Sequence, residues 1–125
     1  NFYSGAFVKH LLAACAVLIA TAGAAQAQNV AGSYNVIGVN VNGTDYRGRA
    51  RIVITSENSC RIIWDVGTVS EGICMRNSNA FTAAYSLKGK VGLAIYQIMN
   101  DGSMQGLWTL ADTQGVGRET LVPAR

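Results

Sequence analysis

One histidine, three cysteines and seven acidic residues are all that the chain offers for acid–base, nucleophilic or metal chemistry. The histidine, His10, stands beside Lys9 at the head of an apolar run, Leu11 to Ala24, which is followed by Ala25-Gln26-Ala27. A basic start, an apolar stretch of about 7–15 residues and an A-x-A end are the three parts of a secretory signal peptide. Cleavage is expected after Ala27, and it takes away the only imidazole together with Lys9 and Cys15. With the imidazole goes the usual general base and the commonest transition-metal ligand. No Cys/His zinc set can be assembled from the remainder, and neither a metal nor a cofactor is expected.

The carboxylates left are Asp45, Glu57, Asp65, Glu71, Asp101, Asp112 and Glu119. Most fall in turn-like segments, where such side chains are solvated. Asp65 and Glu71 could approach across a hairpin, and a close carboxylate pair is the minimum equipment of a hydrolase. The plainer reading is that they flank the apex of a surface turn. Asp101-Gly102-Ser103 has the look of a calcium loop, but no series of oxygen ligands follows it. It reads as a turn.

Cys60 and Cys74 form an even pair in an exported chain, so a disulfide is the expectation. Their numbers centre on Gly67, with Val66-Gly67-Thr68 as apex, Trp64 opposite Ser70 and Ile62 opposite Gly72. Facing residues in an antiparallel pair lie about 4.5–5.5 Å apart at Cα, within disulfide range.

Two sets of side chains could bind rather than react. Arg47, Arg49 and Arg51 alternate along one strand and leave the same face, a row of guanidinium groups suited to carboxylate, sulfate or phosphate on a partner. Tyr46, Ala50, Ile52 and Ile54 take the other face, expected in the core. The aromatics Trp64, Tyr85 and Trp108 are the second set; they either fill an interior or line a cavity for one small ligand. After cleavage nine basic residues stand against seven acidic ones. That balance is too even and too dispersed to argue for nucleic acid.

The elements that must position these residues are strands. Residues 28–125 show no long amphipathic helical pattern, only short alternating or apolar runs cut by Gly, Asn, Asp and Ser every 8–12 residues or so. Strands are expected near Gly32–Val41, Tyr46–Thr55, Cys60–Val66, Ser70–Arg76, Ala80–Leu87, Gly92–Met99, Met104–Leu110 and Val116–Leu121. Asn42-Gly43 and Asp101-Gly102 supply the positive φ of tight hairpin turns, and Pro123 falls just beyond the last strand. Eight strands on short turns give an up-and-down meander, and closing it removes two exposed edges. The expected fold is therefore all-β: a small eight-stranded antiparallel up-and-down barrel, residues 28–125, behind a signal peptide, residues 1–27.

The export segment carries two further features. Leu12-Ala13-Ala14-Cys15 spells a lipoprotein box, but too short an apolar run precedes it for lipidation at Cys15 to be the expectation. Asn1–Phe7 lacks an initiator Met and reads as foreign to the signal peptide; the expectation is either that translation starts at Val8 or that these residues are an addition to the natural chain. Asn42-Gly43-Thr44 fits a glycosylation sequon and is taken as a turn. Tyr34…Asn42-Gly43-Thr44…Gly48 is echoed by Tyr96…Asp101-Gly102-Ser103…Gly106, which reuse of hairpin residues explains more simply than duplication.

The chain resembles a group of small secreted alphaproteobacterial proteins labelled "fibronectin-binding". The resemblance rests on Gly32-Ser33-Tyr34, on the hairpin from Asn40 through Asn42-Gly43 and Tyr46 to Gly48, and on Trp64. It continues in Asp101 to Thr109, with Gly106 and Trp108, and in Glu119 to Pro123. It spans nearly all of the expected domain and implies a β-barrel-like fold, with a macromolecular partner implied by the label alone; Cys60 and Cys74 depart from the pattern. A glycine and an aromatic per hairpin is also similar to avidin-type barrels; Gly106-Leu107-Trp108 spells a lipocalin first-strand motif, but its place near the C-terminus discounts that match. The functional expectation is a periplasmic or secreted binding module, not an enzyme, recognising an extracellular or periplasmic macromolecule through Arg47, Arg49 and Arg51. The alternative is a carrier of a small apolar ligand held inside the barrel near Trp64, Tyr85 and Trp108. No membrane span is expected in the mature chain.

Overall fold

The structure, a computed structural model, describes residues 29–124. The expected export segment, with Lys9, His10 and Cys15, lies outside the described residues. Eight strands follow one another: β1 (Gly32–Val39), β2 (Asp45–Ile54), β3 (Ser59–Asp65), β4 (Val69–Asn77), β5 (Ala80–Leu87), β6 (Lys90–Ile98), β7 (Met104–Leu110) and β8 (Gly117–Pro123). Each is antiparallel to the next, and β1 pairs with β8 to close the barrel. Every strand then has two hydrogen-bonded neighbours, and no edge is left open. Among the described residues no helix is long and apolar enough to cross a membrane.

The turns have their own causes. In the β1–β2 turn the Asn42 side chain accepts from the Thr44 amide and hydroxyl, at 3.1 and 2.7 Å, while Gly43 takes φ +89°. Asp101 does the same for the Ser103 amide and hydroxyl at the β6–β7 turn, at 2.9 and 2.6 Å, beside Gly102 at φ +86°. The two echoing segments therefore share turn chemistry. They do not share register: Tyr34 faces Ala50, whereas Tyr96 faces Gly106.

Trp64 faces Ser70 and Ile62 faces Gly72, as the cysteine positions require, and Cys60 faces Cys74. The two are joined, with Cα atoms 4.9 Å apart. Closing a loop of this length contributes about 3 kcal/mol through the unfolded chain's lost entropy. The bridge is buried, inside the barrel rather than on its surface.

Three expectations need correction. Ile54, assigned to the core, is 44 % exposed: it ends β2, where the barrel wall has run past the packed interior. Pro123 lies within β8, opposite Tyr34; it is the strand's last residue, where a missing amide donor is tolerated. The strand β6 begins at Lys90 rather than Gly92, because Lys88 and Gly89, at φ +51° and +78°, make the whole β5–β6 turn in two residues.

The interior has two halves. Toward the β2–β3, β4–β5 and β6–β7 turns it is packed solid by Val36, Ile52, Ile62, Phe81, Met104 and Leu121, all at 2 % exposure or less. Val30 caps this end, and the buried Tyr34 hydroxyl donates to its carbonyl at 2.7 Å. The other half, beneath the β1–β2, β3–β4, β5–β6 and β7–β8 turns, is built differently.

Candidate functional site

In that second half large rings face small residues across the sheet, Tyr96 also meeting the Phe81 ring on its other side. Tyr46 is opposite Gly38, Tyr85 is opposite Gly72 and Gly92, Tyr96 is opposite Gly106, and Trp108 is opposite Ala94 and Gly117. Trp64 lies between Ala50 and Ser70. A Cβ at Gly38, Gly92, Gly106 or Gly117 would collide with the ring of its partner. The rings therefore lie over bare backbone along the wall instead of crossing the lumen. This is the cross-strand pairing in which an aromatic covers a glycine.

One row is decisive. Reading around the barrel from β2 to β6, Tyr46 is opposite Gly38, Gly38 is opposite Glu119, Glu119 is opposite Gly106, and Gly106 is opposite Tyr96. Glu119 thus points inward with a glycine on each side, and the two tyrosines reach over those glycines from left and right. Tyr46 donates to Oε1 of Glu119 at 2.8 Å, and Tyr96 donates to Oε2. Trp64 Nε1 donates to the same Oε2 at 3.0 Å from across the lumen. The Glu119 residue is only 6 % exposed.

A buried carboxylate is costly unless hydrogen-bonded, and here three neutral donors meet it. No cation does so: the ion pairs found among the described residues, Arg61–Glu71 and Lys90–Asp112, involve exposed side chains elsewhere. The phenols are kept as donors. Burial, and then the Glu119 charge, raise the Tyr46 and Tyr96 hydroxyls far above the ordinary value, with a smaller opposing pull on Tyr46 from Trp108. The same two causes push Tyr85 up to about 12. Its hydroxyl donates to the Thr109 carbonyl at 3.0 Å.

Above Glu119 lies a cavity of about 80 Å³, walled by Tyr46, Trp64, Tyr85, Tyr96 and Trp108. Ser70 and Leu87 also line it, and its lining is otherwise apolar. There is room for a handful of waters, at about 10–15 Å³ each. Pockets for drug-sized ligands run to about 300–1,000 Å³. One group in the wall is poorly answered: the buried Trp108 Nε1–H approaches the Tyr46 hydroxyl oxygen but makes no well-formed hydrogen bond among the described residues. Trp108 stands edge-on to Tyr46, with ring centroids 6.4 Å apart.

The residues singled out from sequence fall into two places. Trp64, Tyr85 and Trp108 come together around the cavity. Arg47, Arg49 and Arg51 are exposed on the outer face of β2, and none of them forms an ion pair among the described residues. Arg49 is in register with Asp65 without reaching it. Asp65 and Glu71 do not form a carboxylate pair: Asp65 turns back to the Gly67 amide at 3.4 Å, and Glu71 is bound to Arg61. Sequence reasoning placed Glu119 among solvated carboxylates and missed it. The signal available was its alternation with Leu121, which is fully buried on the same face. Among the described residues no group of three His, Cys, Asp or Glu side chains could hold a metal ion.

No known family's sequence model matches the chain, and no curated protein matches it. Among solved structures the barrel is similar to a mutant of the fluorescent protein UnaG. The TM-score is 0.50 at 10 % identity, over 76 % of this chain and 96 % of the other. At that identity the likeness is one of fold.

Proposed function

We propose that the barrel is a non-catalytic binding module that holds a small, largely apolar ligand, or the head of a larger one, in the cavity above Glu119. The observation that carries this reading is the aromatic-walled cavity at one end of the lumen, in whose wall the Trp108 Nε1–H lacks a well-formed hydrogen bond. Leaving a buried donor unpaired costs about 1–3 kcal/mol, and nearly all such groups in native proteins have partners. The other half of the interior is packed solid and carries no such defect. Eight-stranded barrels either fill their lumen or hold one small ligand in it, and this one does the first at one end only. The likeness in fold to a fluorescent protein's barrel is compatible with an interior site.

Export, which the N-terminal pattern and the disulfide both support, would place this binding in the periplasm or outside the cell. The positions that carry the resemblance to the secreted group include Tyr46, Trp64, Gly106, Trp108 and Glu119, and all five belong to the cavity or to the row beneath it. Contact with a macromolecule through Arg47, Arg49 and Arg51 has only the label of that group and the exposure of the row in its support.

Titration with cyclohexanol, read on the indole N–H signals of Trp64 and Trp108, tests the interior site. These are the only two tryptophans in the chain, and both line the cavity. Saturable shifts are expected in the wild type and in a variant with Arg47, Arg49 and Arg51 changed to Ala. They should disappear in Ser70→Phe, which fills the cavity. Shifts that survive Ser70→Phe, or that never saturate, would remove the basis for an interior site.

A further inference from the structure

Glu119 is more than the apolar-carrier reading requires. A barrel that only sheltered an apolar body would do better with a leucine there, since a buried carboxylate must be desolvated and then answered by donors. Here three separate strands, β2, β3 and β6, each spend a polar side chain on it. What they supply is neutral. The unit carries one negative charge into the lumen, and among the described residues no basic side chain pairs with it; Arg118, its neighbour in the chain, and Arg47, next to Tyr46, are both exposed.

Coordination at the carboxylate is incomplete in a particular way. A carboxylate has about four lone-pair positions. Two donors share Oε2, and Oε1 has Tyr46. One position remains, on Oε1. The surrounding rings favour one kind of occupant for the space above it. Aromatic faces are electron-rich, so they attract a cation and repel an anion. Five rings around one carboxylate, with an otherwise apolar lining, are the two elements by which proteins recognise substituted ammonium ions. The size of the cavity limits the charged group to a few non-hydrogen atoms. The Trp108 Nε1–H adds a requirement that an ammonium group cannot meet, an acceptor oxygen elsewhere on the ligand.

We infer that the cavity selects a compact organic ammonium ion carrying a neighbouring oxygen, with Glu119 as its counter-charge, the five rings as its cage and Trp108 Nε1 as donor to the oxygen. This rests on the reading of the barrel as an interior binder, and narrows it to a charge class.

Choline and dimethylbutanol, which replaces the nitrogen by carbon and keeps the hydroxyl, separate charge from shape. Both are titrated into the full mature protein and read on the two indole N–H signals. Choline should bind about tenfold or more tightly than dimethylbutanol, and Glu119→Gln should abolish most of that difference while the protein keeps its cooperative unfolding. Equal or tighter binding of dimethylbutanol overturns the cation and leaves an apolar interior site standing. A choline preference undiminished in Glu119→Gln overturns the role of Glu119 and moves the cation elsewhere. Binding of neither, with cyclohexanol also silent, overturns both readings. The comparison of the two probes on the wild type stands even if the variant fails to fold.

Discussion

Glu119 concentrates the tension between stability and use in one side chain. Removing it strands three donors at once, whereas a glutamine can still accept from two of them. Glu119→Ala is therefore expected to destabilise the barrel by about 3 kcal/mol, and Glu119→Gln by about 1 kcal/mol. Urea unfolding followed by tryptophan fluorescence measures both. A loss below about 0.5 kcal/mol in the alanine variant would mean that water already answers the donors and that the site is wetter than its burial implies. This residue was the least legible in the sequence. Charged side chains usually face solvent, and β8 as a sequence offers only the parity of Glu119 with Leu121 against that expectation. Trp64, Tyr85 and Trp108 were legible because large aromatics in a small all-β chain have few places to go other than inside.

Between residue and molecule, the unit that shapes the site is the aromatic set against a glycine on the adjoining strand. Strand β6 shows why this was hard to read. Three of its large side chains, Val91, Leu93 and Ile95, face out at 64, 55 and 60 % exposure, while Gly92 and Ala94 face in ahead of Tyr96 and Ile98. In the first half of the strand hydrophobicity alone would choose the opposite face. A narrow lumen that already holds rings from β5 and β7 has room only for small residues between them. The strands and turns themselves were readable because Gly, Asn and Asp mark every hairpin, and the β3–β4 register was readable because two cysteines must meet. Which glycines sit under rings follows only from the full set of pairings, including the β1–β8 seam that no hairpin encodes. Gly106 tests this level. A methyl there meets the Tyr96 ring and the Ile95 carbonyl, so Gly106→Ala should cost about 2 kcal/mol by overpacking. It should also push the Tyr96 hydroxyl away from Glu119. If so, the cost is not additive with Tyr96→Phe, and a double-mutant cycle should show coupling of about 1 kcal/mol. Additive effects would mean that the ring is held by its hydroxyl and not by the glycine beneath it.

Closure makes these local arrangements into a property of the whole barrel, and alkaline pH is the condition that exposes it. All four tyrosines among the described residues are raised above the ordinary phenol value of 10.0, Tyr34 by burial alone and the three around the cavity by burial together with Glu119. In the unfolded chain each would ionise near 10, releasing protons that the folded barrel retains. Stability changes with pH in proportion to the protons bound by the unfolded state minus those bound by the folded one. That difference is near zero at neutral pH and turns negative above about 10. The stabilisation is thus fully present below about pH 10 and is lost as the pH climbs toward the raised folded values, Tyr85 being pushed up to about 12. The urea midpoint should be flat from neutral pH to about 9 and then fall steeply. Tyrosinate absorbance should appear together with loss of the β-sheet circular dichroism, because the buried phenols ionise by unfolding. Phenols that titrate near pH 10 in a barrel still folded would place the Tyr46–Glu119–Tyr96 row in contact with bulk water, and a carboxylate already solvated there would have no need of a cation.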